Sequence, residues 1–150
     1  VPSVAFNTLF IAFHALGHFP GLMTLHHLYD WAVLIQRYGV QLPEELKDDS
    51  LLDGIAALTH LCNELLGTSV EVQRGKETAC MIKENMFRPK YLNDVPVTGR
   101  INILIYKMKR MLHAYYLKSS ILHYPLWKRI CGSIMLHVKH PEIVFRNELH

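Results

Sequence analysis

The sequence of 150 residues carries 16 Lys/Arg, 13 Asp/Glu and 10 His, for a formal net charge of +3, and half of it is hydrophobic. That apolar share can bury a core without disulfide or metal staples, which excludes a disordered chain, and an odd set of three distant cysteines excludes a disulfide scaffold. His14, His18, Asp30 and Arg37 interrupt the most hydrophobic region, so no run reaches the roughly 18 to 20 apolar residues that span a bilayer. The expectation is a cytoplasmic protein with no membrane partner. The chain opens Val1-Pro2-Ser3 without an initiator Met, a basic leader or a small-residue cleavage site, and is expected to be a fragment of a longer protein. Cys62, Cys80 and Cys131 sit among apolar neighbours and are expected to be small core residues in a reducing compartment.

From Ala5 to His18 the positions Phe6, Leu9, Phe10, Phe13 and Leu16 follow helical spacing, with Asn7 and Thr8 on another face. Phe19-Pro20-Gly21 breaks this helix, and Thr24 is placed to cap a second one through Leu28, Trp31, Leu34 and Ile35 that stops at Gly39. Two helices joined by a short turn form an antiparallel hairpin. Trp31, in register with Leu28, Leu34 and Ile35, is expected to anchor the core.

Pro43-Glu44-Glu45 has the proline and first-turn acids that suit a helix start. The pattern then predicts a helix from Asp49 or Ser50 to Leu66, ended by Gly67, and a weaker one over Lys76 to Met86, where Ala79, Ile82 and Met86 share a face. Residues 88–97, with two prolines and no helical period, are the longest connector and the place for an internal boundary. Thr98 is expected to cap a helix whose apolar residues, from Ile101 to Tyr115, cover much of its circumference, as in a central helix. Pro125 opens the last helix, which runs to about Val138 before Pro141 interrupts the chain. The only strand-like alternation, Val70 to Gln73, has nothing to pair with. The prediction is all-α: one compact domain over residues 1–150, of five or six helices, opening with a helical hairpin.

Charge is distributed unevenly. Residues 1–94 hold seven Lys/Arg against eleven Asp/Glu, whereas residues 95–141 hold eight Lys/Arg and no acid. A stretch of that length without a carboxylate creates a positive field, suited either to an external anion or to an acidic surface of the same protein. Lys107, Arg110, Lys118 and Arg129 are the candidate anion-binding residues. The interleaving of Tyr106, Tyr115 and Tyr116 with these bases could stack nucleobases and hold phosphates. The bland counterpart is a helix whose Lys and Arg stems lie along a buried apolar face.

His14 and His18, four apart, project from one face of a helix, and His26, His27 and Asp30 follow on the adjoining helix. His14, His18, His27 and Asp30 are therefore the candidate polar cluster between the first two helices. Asp30 is expected to accept a hydrogen bond from a histidine or a buried amide, because a carboxylate held among Tyr29 and Trp31 without one would be costly. No complete ligand pattern appears: the His-Asp dyad of metal-dependent phosphohydrolases and the His-Glu pair of zincins are both missing, so no metal site is predicted and a metal-dependent hydrolase is the weakest reading. There is no Gly-x-Ser-x-Gly elbow, Cys/His signature or Gly-x-x-x-x-Gly-Lys loop, and no catalytic residue is assigned.

The segment Phe6-Asn7-Thr8-Leu9-Phe10, then His14 and His18-Phe19, then Leu25-His26-His27-Leu28-Tyr29-Asp30-Trp31-Ala32 resembles the helical region after the catalytic core in a family of bacterial nucleotidyltransferases of the polymerase-beta-like superfamily. In that family a helix with one or two histidines precedes a helix of the form Leu-Arg-x-Leu-x-Asp-Trp-Ala; here His26 stands where the family has Arg. Leu66-Gly67, the basic helix around Lys107 to Arg110, and Leu136 with Pro141-Glu142-Ile143-Val144-Phe145 are similar to the family's C-terminal end. The resemblance implies a parent enzyme that uses magnesium and a nucleoside triphosphate, held by an Asp-x-Asp pair after a Gly-Ser loop. Here Ile134 and Met135 follow Gly132-Ser133, and no Asp-x-Asp occurs. What the resemblance implies for this chain is a non-catalytic helical accessory domain, without a cofactor of its own, that packs on or closes an upstream catalytic domain of the same protein. The ribonuclease partners of some nucleotidyltransferases place His four to six residues after an Arg. Arg110 and His113, and Arg129 and His137, have other spacings. The alternative is an independent helical module that binds nucleic acid or another polyanion through residues 95–141.

Overall fold

The computed structural model describes residues 3–91, 97–122 and 125–140, without the side chains of Leu126, Arg129, Ser133 and His137. Among these residues there are six α-helices and no strand: α1 (Val4–His18), α2 (Leu25–Tyr38), α3 (Asp49–Leu66), α4 (Lys76–Phe87), α5 (Arg100–Ser119) and α6 (Leu126–Lys139). No helix among the described residues is long and apolar enough to cross a membrane. The chain divides into two compact units, residues 1–88 and 89–150, at the start of the connector where the sequence places an internal boundary.

In the first unit α1 packs on α2, α2 on α3 and α3 on α4, with a lighter contact between α1 and α3. Ser3 caps α1, its Oγ accepting from the Phe6 N–H at 3.2 Å. Of the apolar stripe that periodicity suggests, α1 buries only Leu16. Thr8, Ala12, Ala15 and Leu16 are buried, while Phe6, Phe10 and Phe13 are exposed. Residues two apart on a helix differ by about 200°, so Phe6 and Thr8 lie on opposite sides. Small side chains at 12 and 15 let the backbones approach. Thr8 tolerates complete burial because its hydroxyl donates to the Val4 carbonyl at 2.9 Å.

Trp31 on α2 is fully buried with Leu28 and Ile35, as its register predicts. The middle of α3, from Gly54 to Thr59, is buried throughout because α2 and α4 cover it. Asp48 caps α3, its Oδ1 accepting from the Leu51 N–H at 3.1 Å, and Gly67 ends it in the left-handed conformation at φ 70°. Pro43 begins only a single turn, closed by the Leu46 N–H on the Pro43 carbonyl. Asn63 organises the chain after α3. Its Oδ1 accepts from the Thr68 hydroxyl at 2.6 Å and the Val70 N–H at 3.1 Å, and its Nδ2 donates to the Val70 carbonyl at 2.8 Å. A side chain thus satisfies the backbone that a strand partner would otherwise serve.

Gly75 precedes α4 with φ 81°, and a Cβ there would lie 2.6 Å from the Asp53 carbonyl oxygen and 2.8 Å from the Ala56 Cβ. Only glycine allows this approach. Arg74 beside it donates to Asp53 Oδ1 and Asp49 Oδ1, and Lys83 pairs with Glu64, so acids of α3 are matched by bases of the segment that packs on it.

In the second unit, α5 begins after Gly99 rather than with a Thr98 side-chain cap; the Thr98 carbonyl instead accepts from Asn102 Nδ2 at 3.1 Å. The expectation that α5 is central is corrected: Ile103 and Leu117 are its buried residues, whereas Ile101, Leu104, Ile105, Met108 and Leu112 are exposed. Apolar residues that surround a helix exceed what one packing face can cover. Tyr91 sits against Tyr106 and His113, seven apart on α5, with ring centroids 5.5 and 5.3 Å away. Pro125 precedes α6, as predicted, and the expected interruption at Pro141, with the similar segment to Phe145, falls outside the described residues. Of the cysteines only Cys62 is a core residue; Cys80 and Cys131 are exposed, which corrects the expectation for both. Cys80 sits one position beyond Ala79, about 100° around α4 from its buried face.

Candidate functional site

The turn between α1 and α2 brings together histidines from both helices. Buried Phe19 and Met23 hold the turn, and the Leu22 N–H bonds the His18 carbonyl at 2.9 Å, so the end of α1 meets the start of α2. Along α1 a row of rings four residues apart runs Phe6, Phe10, His14, His18, with centroids 6.4, 6.2 and 4.7 Å apart in succession. His27, in the first turn of α2, closes the group at 5.3 Å from His14 and 4.6 Å from His18. One ligand nitrogen of each of His14, His18 and His27 lies within 4.8 Å of the others; this is the one such group of potential metal ligands among the described residues.

His27 is fixed by Thr24. The Thr24 N–H donates to His27 Nδ1 at 3.1 Å, and the Thr24 hydroxyl lies 3.0 Å from the same nitrogen. This is the capping-box arrangement with histidine in place of Glu or Gln. The sequence predicts Thr24 as a cap but not its hold on His27; the Thr-x-x-His spacing is the signal for it. Burial, and then the proximity of His18, His14 and His26, hold the His27 ring below the usual imidazole range, while Asp30 opposes this weakly. A neutral ring whose Nδ1 accepts from Thr24 carries its proton on Nε2.

Asp30 is not joined to the three histidines as the fourth member of the cluster. Its carboxylate is 3.7 Å from His26 Nε2, one helical turn back; the Asp30 side chain is 44% and that of His26 78% exposed. Of the two partners expected for Asp30, the structure supplies a histidine, His26, as an exposed ion pair; what it corrects is the burial expected of the carboxylate. With His14 and His27, Asp30 lines an open groove of about 530 Å³ whose apolar walls include Phe10, Tyr29 and Val33.

The basic candidates lie in the second unit. Lys107, Arg110 and Lys118 are half-buried on one side of α5, and each is engaged in an interaction. Burial, and then the nearby Arg110, lower the Lys107 pKa. Arg129 belongs to α6, and its side chain lies outside the described residues.

These residues do not fit magnesium and a nucleoside triphosphate. Mg²⁺ takes oxygen ligands, the histidine group offers nitrogens, and the carboxylates Asp49 and Asp53, in the first turns of α3, are bonded by Arg74. The chain matches no family model, no curated protein and no solved structure.

Proposed function

We propose that this chain is a non-catalytic helical accessory domain that docks the outer face of its α1–α2 hairpin on the catalytic core of a nucleotidyltransferase. The observation that carries this reading is the phenylalanine stripe of α1: Phe6, Phe10 and Phe13 are 58%, 61% and 46% exposed, and Phe10 shares an open groove with Tyr29 and Val33 of α2. Aromatic residues gathered on one face are characteristic of the buried centre of an interface. The occupant is the core that the sequence resemblance implies.

The test begins with the coding sequence that precedes Val1, where the reading expects a Gly-Ser loop followed by Asp-x-Asp. Its absence overturns the proposal. When that segment is co-expressed with this chain, the two should co-purify, and Phe10→Asp should abolish the complex while leaving the helical circular dichroism of the chain unchanged. Retention of the complex by this variant would place the interface elsewhere.

A second reading rests on the proximity of Lys107 and Arg110 in a stretch free of carboxylates. It predicts binding of single-stranded nucleic acid whose affinity falls steeply as salt rises, through release of counterions.

A further inference from the structure

We propose that His14, His18 and His27 form a binding site for a late first-row divalent metal ion of the Zn²⁺ class, with one coordination position open to the adjoining groove. Three nitrogen donors lie within 4.8 Å of one another on two helices joined by a short turn with Phe19 and Met23 in the core. Tetrahedral Zn²⁺ with bonds of about 2.0–2.1 Å needs nitrogens roughly 3.4 Å apart. The present span of 4.8 Å therefore has to contract by about 1.4 Å at most, a movement within reach of the broad terminal ring torsion of partly exposed histidines.

The donor set also selects the ion. Imidazoles suit zinc, copper and nickel, whereas magnesium and calcium require oxygens. Asp30 stands with His26 and outside the nitrogen group, so three protein ligands leave the fourth position to water or an incoming anion, the arrangement of open rather than closed zinc sites. Thr24 supplies the outer contact. When His27 ligates through Nε2, its proton moves to Nδ1, which gives up the bond from the Thr24 N–H and donates instead to Thr24 Oγ1 at 3.0 Å. The groove beside the open position is lined by Phe10, Tyr29 and Val33, which would exclude water from one side of a bound ligand.

The test uses the 150-residue chain without an affinity tag. Titration with Zn²⁺ at neutral pH, followed by calorimetry, should show one equivalent bound, and Co²⁺ should give the visible absorption of a four-coordinate nitrogen-ligated site. His14→Ala, His18→Ala and His27→Ala should each weaken Zn²⁺ binding by more than the roughly 10- to 100-fold that loss of an outer-shell partner costs, whereas His26→Ala, one residue from the site, should not. Excess Mg²⁺ should not compete. Should a variant fail to fold, the imidazole ¹⁵N resonances of the unaltered chain decide: Zn²⁺ should shift those of His14, His18 and His27 and leave His60 in place. Absence of binding, equal weakening by His26→Ala, displacement by Mg²⁺, or a shift confined to other histidines would each overturn the assignment. None of these outcomes depends on the docking reading, which is tested on Phe10.

Discussion

The indole N–H of Trp31 on α2 donates to the hydroxyl of Thr59 on α3 at 3.1 Å, with both residues buried. Thr59 in turn donates to the Ile55 carbonyl at 3.4 Å. The largest side chain of the core is thereby packed without an orphaned donor, and the contact fixes the register of α2 on α3. Thr59→Val, nearly isosteric, leaves the indole N–H unsatisfied and should cost about 1–3 kcal/mol. Trp31→Ala opens a cavity and should cost about 3–5 kcal/mol. Urea unfolding of the two variants checks both values and their order.

Gly75→Ala should be among the most disruptive single-methyl changes in the first unit. The residue has positive φ, for which a non-glycine residue is penalised by about 1–2 kcal/mol, and the new Cβ meets α3 backbone rather than a side chain that could turn away. Adding about 1–3 kcal/mol for overpacking gives roughly 2–5 kcal/mol in a urea melt. Gly67→Ala, with the same sign of φ but open space around its Cβ, should show only the conformational part.

The three thiols should separate by reactivity. Burial pushes the Cys62 thiol up to about 12, and its Sγ donates to the Leu28 carbonyl at 3.1 Å. A thiol that is neither exposed nor ionised is inert to alkylation. Iodoacetamide should label Cys80 and Cys131 in the native protein and reach Cys62 only on unfolding, which intact-mass spectrometry reads as two and then three adducts.

His113 makes the second unit sensitive to acid. Burial, and then the charge of Lys90, hold its pKa below the usual imidazole value, and Nε2 is buried without a hydrogen-bond partner among the described residues. The folded state thus disfavours the proton that the unfolded chain binds at about 6.5. Stability from this group is full above about pH 6.5, falls as pH drops through that value, and levels off below the folded pKa. His27 is shifted in the same direction in the first unit. The His113 contribution is therefore the difference in pH slope between the unaltered chain and His113→Phe, followed by thermal melts. Equal slopes would remove it.

Asp30→Ala should change stability by no more than about 0.5 kcal/mol, as for an ordinary surface substitution. Its carboxylate is 44% exposed and its histidine partner is more exposed still. A midpoint shift in urea corresponding to 1 kcal/mol or more, on the order expected for a buried donor left without a partner, would contradict this placement.

The sequence by itself determined the helices and where they stop. Periodicity, the glycines at 39 and 67, the cap at Thr24 and the prolines act within a few residues, and such local signals survive in whatever tertiary setting the chain adopts. Trp31 was legible too, because α2 carries one broad apolar face and a large residue at its centre has only one place to go. Which face of α1 is buried depended on the partner. Periodicity marks the phenylalanine stripe, and only the close approach of α2 selects the smaller Thr8–Ala12–Ala15 side instead. The candidate site divides the same way. His14 and His18 are visible as a pair at helical spacing, but the third nitrogen comes from beyond a turn, and the choice of His27 over His26 rests on an angular difference of about 100° on α2. Asp30 shows the converse: sequence neighbours suggested burial, whereas the helix turns its carboxylate toward solvent and His26.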